Sequence, residues 1–166
     1  MKILFLANRV PYPPYRGDKL KIFNLAKRLK DHELHLLTFA QTKEDLIYKT
    51  ELEKIFKVVN LVYLPKWRSA MNCLAGAWSS KPLQVLYFQS GELRQKLYAL
   101  IDKHNYDAVH VQHLRMSPYL ANVKDVPRIL DLPDAFPCEV QRLPDLFERA
   151  GQLAARGRLV DVGGQQ

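Results

Sequence analysis

Residues 3–40 read ILFLANRVPYPPYRGDKLKIFNLAKRLKDHELHLLTFA, and this stretch decides the fold. ILFLA (3–7) is a short continuous apolar run, the pattern of a strand covered on both faces. From Asp18 to Lys30 the period changes. Ile22, Leu25, Ala26 and Leu29 share one helical face, while Lys19, Lys21, Lys27, Arg28 and Lys30 lie mostly elsewhere. ELHLLTFA (33–40) then returns to a strand. A strand, a crossover helix and a second apolar strand make a βαβ unit, whose strands run parallel.

The same alternation continues along the chain. TKEDLIYKTELEKIFKVV opens with Thr42 three residues before Asp45, a capping-box pattern, and carries Leu46, Leu52, Ile55 and Phe56 as a core stripe. VVNLVYLP (58–65) is strand-like and ends at a proline. SGELRQKLYALIDKHN (90–105) is an amphipathic helix with Ser90 as N-cap and Leu93, Leu97, Leu100 and Ile101 facing inward. YDAVHVQ (106–112) is a strand, LRMSPYLANV a short helix or loop, and PRILDL (127–132) a last strand. The expected fold is α/β: a doubly wound, mostly parallel sheet over residues 1–132. Residues 133–166 form an atypical tail, expected to make one helix around Leu146–Leu153 and then fray through GGQQ.

Composition narrows the partners. The chain has 166 residues, 48% hydrophobic and 25% charged, with 25 Lys+Arg against 17 Asp+Glu. These are the proportions of a globular domain with a real core. The formal charge of +8 favours anionic partners. Nucleic acid is the weakest of these, because the charges scatter over helix faces and no recognised motif appears. Cys73 and Cys138 stand alone, without a CxxC or a His/Cys cluster, so neither structural zinc nor a disulfide framework is expected. MKILFLANR has no small-residue cleavage site, and no apolar run spans a bilayer. A cytoplasmic protein is expected, with peripheral contact at the inner face of the membrane as an option.

In doubly wound sheets ligands bind outside the carboxyl ends of the strands. That rule singles out two loops. The first runs from Asn8 to Lys19. Gly17 there allows a close approach to the backbone, Asp18 is placed to cap the helix, and Arg9, Arg16 and Lys19 add positive charge at the positive end of a helix dipole. An anion site and a stiff proline-rich connector both fit these residues. No GxGxxG or GxxxxGK[ST] pattern is present. The second loop closes DAVHVQHLRMSPY, where Gln112, His113 and Arg115 fall at the strand's carboxyl end. His113 is the candidate for hydrogen bonding or acid–base work, and His110, two residues deeper, reads as a satisfied core histidine. Neither has the neighbours a metal needs.

A third constellation lies in LPKWRSAMNCLAGAWSSKPLQVLYFQS (64–90). Trp67, Met71, Leu74, Ala75 and Trp78 recur at helical spacing, with Lys66 and Arg68 at one end and Lys81 at the other. The segment fits a core-packing helix, and it also fits one lying on an anionic membrane interface.

Taken together, the first strand, RVPYPPYRGDKLKIFNLAKRLKDHELHLLTF, KPLQVLYFQS and YDAVHVQHLRMSPYL resemble the N-terminal domain of GT-B glycosyltransferases of family 4, most of all the exopolysaccharide-type sugar transferases. The resemblance covers residues 1 to about 132. It implies a retaining transfer from a nucleotide-diphosphate sugar to a glycan or lipid-linked acceptor, between two Rossmann-like domains and without an obligatory metal or other cofactor. It further implies that Arg16, Gly17 and Asp18 lie by the donor phosphates and acceptor, and that Gln112 or His113 is an acceptor-side polar residue. The family pattern often reads H-x-H there, whereas this chain has His110-Val111-Gln112-His113. Its second domain, with a basic residue and an E-x7-E-type motif, has no counterpart here. The 166 residues alone are therefore expected to turn over little sugar nucleotide. A non-catalytic Rossmann-like module, docking a partner protein or the membrane through residues 66–81, is the competing reading, and apolar residues of the tail offer a route to a homodimer.

Overall fold

The computed structural model describes residues 1–79, 81–123 and 125–132, and the backbone of 160–161. The expected helix, fraying and pairing surface of the tail otherwise lie outside the described residues. Five strands form one parallel sheet: β1 (Lys2–Ala7), β2 (Glu33–Ala40), β3 (Val58–Tyr63), β4 (Ala108–Gln112) and β5 (Arg128–Asp131). A two-residue β6 (Val160–Asp161) pairs parallel with β5, so the order is β3-β2-β1-β4-β5-β6. The order reverses between β1 and β4, the place where such sheets leave a crevice.

Both sheet faces are covered, and the sequence shows why. Along β1 the alternate residues Ile3, Phe5 and Ala7 enter one core, with Ile22 and Ala26 of α1 (Gly17–Arg28), Leu52 and Phe56. Leu4 and Leu6 enter the other, with Leu93, Leu97 and Leu100 of α6 (Gly91–Lys103), Met116 and Tyr119. Continuous apolar strands are the expected signature of a sheet buried on two sides. Ser90 caps α6, its hydroxyl accepting from the Leu93 amide at 3.3 Å.

The segment after β2 departs from expectation. Thr42 and Asp45 do form a capping box, yet the single predicted helix breaks at Tyr48 into α2 (Lys43–Ile47) and α3 (Lys49–Leu52). Leu46 is 40% exposed and is no part of the core stripe, whereas Leu52 and Phe56 are buried. Tyr48 turns in to meet the Tyr12 ring, 5.4 Å away between centroids, and this contact coincides with the break.

α4 (Lys66–Ala75) and α5 (Leu83–Tyr87) follow β3 and pack on each other. A core-packing α4 is not what forms: Trp67 is 67% exposed, Trp78 97%, and Met71 and Leu74 also face out. After β4 the chain makes a 3₁₀ helix over Leu114–Leu120. No helix among the described residues is long and apolar enough to cross a membrane.

Candidate functional site

At the carboxyl ends of β1 and β4 a cleft of about 320 Å³ is lined by Asn8, Arg9, Arg16, Gly17, Asp18, His113 and Arg115. Six of these seven are residues the sequence singled out, drawn from two loops almost a hundred residues apart. β1 and β4 are hydrogen-bonded neighbours, with Leu6 opposite Val111, so the segments that leave them necessarily meet.

The first wall is the loop from Asn8 to the start of α1. Tyr12 anchors it, its ring tilted against Phe23 (5.7 Å) and edge-on to Tyr48 (5.4 Å), and the Tyr12–Pro13 bond is cis. The N-cap of α1 is Arg16, and no side chain caps the helix. This corrects the expectation that Asp18 is the cap; it sits instead in the first turn, where its charge suits the dipole. The first amides of α1 thus have no side-chain acceptor at the edge of the cleft. A Cβ built on Gly17 would meet nothing within 4 Å. The absent side chain therefore leaves open cleft rather than easing a clash.

Lys19 does not line the cleft. It is buried, with its ammonium 4.9 Å from the Tyr15 ring centroid. Gln112 is also withdrawn: its side-chain amide donates to the Asp18 carbonyl at 2.6 Å and ties β4 to the first turn of α1. Position at the strand's carboxyl end singled out Gln112 and His113 alike, and only His113 lines the cleft.

His113 supplies the second wall. Its backbone is at φ 69°, ψ 142°, the one non-glycine with positive φ among the described residues. The conformation is held by two hydrogen bonds. The His113 amide donates to the Asp131 carbonyl (2.9 Å), and the Met116 amide donates to the His113 carbonyl (3.1 Å). Strain of this kind costs on the order of 1–3 kcal/mol and persists only where its surroundings enforce it. Arg115 lies over the Phe88 ring at 5.6 Å.

Asn8 was missed by the sequence reading. It is 1% exposed, and its Oδ1 has no hydrogen-bond partner. The signal was its place as the first residue beyond β1, in the same crevice rule that picked Arg9. The Arg9 Nε is likewise buried and unpaired. A buried polar atom without a partner costs about 1–3 kcal/mol, which a ligand able to bond it would recover.

Behind the cleft sits a buried carboxylate, Asp131, with one exposed and one buried partner. Lys21 of α1 reaches Asp131 Oδ1 at 2.6 Å, and His110 Nε2 lies 3.8 Å from Asp131 Oδ2, with the His110 ring 4.9 Å from Phe5. His110 is buried as expected, but its Nδ1 has no hydrogen-bond partner. Burial holds its pKa below the usual imidazole value despite the Asp131 charge.

Three arginines against one carboxylate give the lining an excess of positive charge. Charge-assisted hydrogen bonds contribute about 1.5–3 kcal/mol each, against about 0.3–1 kcal/mol for a helix N-terminus. For an anion placed there, the arginines would outweigh the amide end of α1. Among the described residues no three His, Cys, Asp or Glu side chains are grouped to hold a metal.

No family model and no curated protein matches this chain. Among solved structures, TcCGT1 in complex with UDP superposes with a TM-score of 0.51 over 89% of this chain, at 13% identity. The chain spans about a third of that protein's length, 32%. At such identity the likeness is one of fold: this is a Rossmann-like α/β domain with an all-parallel sheet.

Proposed function

We propose that the chain is the acceptor-side Rossmann-like half of a GT-B sugar transferase of the family-4 type. It would move a sugar, with retention, from a nucleotide-diphosphate sugar to a glycan or lipid-linked acceptor. The observation that carries this reading is the cleft at the carboxyl ends of β1 and β4, which Arg9, Arg16 and Arg115 line together with Gly17 and Asp18 of α1. A diphosphate suits that lining in charge. Support comes from the fold, which aligns with a protein crystallised with UDP. In this reading Gly17 admits a phosphate or sugar to the helix end, Asn8 and Arg9 hydrogen-bond it, and His113 positions or deprotonates an acceptor hydroxyl. No cofactor beyond the nucleotide-sugar substrate is needed.

UDP titrated into the purified 166-residue chain, followed by calorimetry and by NMR shifts of the amides of residues 8–19 and 113–116, tests the reading. UDP is expected to bind there more tightly than inorganic phosphate. Arg16→Ala should weaken binding by about 10- to 100-fold, the worth of one charge-assisted contact. Gly17→Ala should weaken it too while leaving the unfolding midpoint unchanged or raised, since its methyl enters only the cleft. Absence of UDP binding, or binding indifferent to both substitutions, would overturn the proposal. Hydrolysis or transfer of a UDP-sugar by these 166 residues alone is expected to be slow, because a transferase of the proposed type draws most of its nucleotide contacts from a second Rossmann-like domain. Robust transfer by the chain alone would refute that part. A purely non-catalytic docking module would bind no UDP at all.

A further inference from the structure

α4 is built inside out. Ser69, Asn72, Cys73 and Gly76 follow one another at helical spacing and face the protein. Ser69 is fully buried, the Asn72 side chain donates to the Gln89 carbonyl at 2.9 Å, and the Cys73 thiol approaches the Leu83 carbonyl at 3.5 Å. A Cβ on Gly76 would lie 2.6 Å from the Leu86 side chain. The opposite stripe, at the same spacing, is Trp67, Met71, Leu74 and Trp78, and all four face solvent beside exposed Leu83. A helix that turns its small and polar residues inward and its largest apolar ones outward gains nothing from water.

The charge around this stripe has one sign. Residues 54–91 contain no Asp or Glu, while Lys54, Lys57, Lys66, Arg68 and Lys81 lie among them. Lys66, Arg68 and Lys81 are exposed, and none makes an ion pair among the described residues. Apolar side chains with tryptophan at both ends of the stripe and an acid-free basic rim match the headgroup boundary of an anionic bilayer in both layers. An acidic protein surface would satisfy the cations but not the tryptophans.

We propose that α4, the turn after it and the start of α5 form a docking surface for an anionic lipid bilayer. Trp67, Met71, Leu74, Trp78 and Leu83 enter the interface, and Lys66, Arg68 and Lys81 engage lipid phosphates. The contact is peripheral: α4 lies along the surface for about 15 Å, at 1.5 Å per residue. This inference rests on α4 and not on the cleft, so it stands or falls independently of sugar transfer.

Trp67 and Trp78 are the only tryptophans in the chain, so its intrinsic indole fluorescence reports this surface alone. With vesicles of phosphatidylcholine plus phosphatidylglycerol, the emission should shift to the blue and be quenched by brominated acyl chains; with phosphatidylcholine alone the change should be slight. Co-sedimentation with the mixed vesicles should fall more than tenfold for the Trp67→Ser, Trp78→Ser double variant. It should fall about fivefold for Lys66→Ala, the worth of one basic side chain near an anionic surface, and weaken in salt. All three positions are exposed, and unchanged circular dichroism would certify the fold of each variant. No blue shift with anionic vesicles, or vesicle binding retained by the double variant, overturns the proposal. A concentration-dependent dimer in sedimentation velocity that the double variant abolishes, without vesicle binding, assigns the face to a second copy of the chain and equally overturns it.

Discussion

At the scale of the residue, His113 is the most telling position in the cleft. A histidine at φ 69°, ψ 142° occupies backbone space that glycine enters freely and a Cβ resists. The chain nevertheless keeps an imidazole there, at the mouth of a cleft lined with arginine. This yields a comparison whose sign is unusual. Ala is ordinarily the more stable replacement, because Gly adds unfolded-chain entropy worth about 0.5–1 kcal/mol. His113→Ala and His113→Gly remove the same ring, but only glycine relieves the backbone. The glycine variant should therefore be the more stable of the two, by about 1 kcal/mol, in urea unfolding. If the alanine variant proves more stable, the strained conformation is not what holds this loop.

At the scale of the element, the 3₁₀ helix after β4 is fixed by one phenol. Tyr119 donates to the Phe88 carbonyl at 2.5 Å and accepts from the Ser90 amide at 2.7 Å, bridging the end of α5 to the start of α6. Burial is the main cause that pushes its pKa up to about 12. Tyr119→Phe keeps the ring and strands two backbone groups, so a loss of about 1–3 kcal/mol is expected from the urea midpoint. A loss near zero would mean that water replaces the phenol. Such elements differ in how far the sequence discloses them. The strands were legible because a sheet buried on both faces needs unbroken apolar runs such as ILFLA. α1 and α6 were legible because their helical stripes meet a core. The helix after β2 was not, because Tyr48 finds aromatic partners in a distant loop and local periodicity carries no record of them. α4 showed its stripe plainly but not which way it faced, since periodicity gives a face and not its neighbour. In the cleft, the crevice rule found both loops and six lining residues. The inward turns of Lys19 and Gln112, each onto one particular partner, were beyond it.

At the scale of the whole molecule, the two ends of the sheet carry different electrostatics, and pH separates them. The cleft end is arginine-rich. At the amino end, Glu33 meets Lys57 (2.8 Å), Lys2 (3.6 Å) and His35 (3.1 Å), while His35 Nδ1 lies 2.7 Å from the Tyr106 hydroxyl. Glu33 is held down to about 2, first by its hydrogen bond from Lys57. Burial is the first cause holding both His35 and His110 below their usual 6.5. In the unfolded chain these histidines take up protons below about pH 6.5, whereas in the fold they resist. The unfolded state then binds more protons, so stability falls as pH drops, with a slope of up to about 1.4 kcal/mol per pH unit for each histidine. Glu33 acts in a lower window. Its stabilising charge is fully present above the unfolded value of 4.5 and is lost as pH falls towards 2. Unfolding midpoints measured by denaturant between pH 7.5 and pH 5 should accordingly decline before any carboxylate titrates. His110→Asn, which cannot take up a proton, should flatten part of that decline and leave the Glu33 window untouched. A wild-type midpoint that stays level from pH 7.5 to pH 5 would show that the two histidines protonate as readily in the fold as in the open chain. The buried pair of His110 and Asp131 behind the cleft would then be reached by water, and Asp131 would no longer form a dry support for the strained turn at His113.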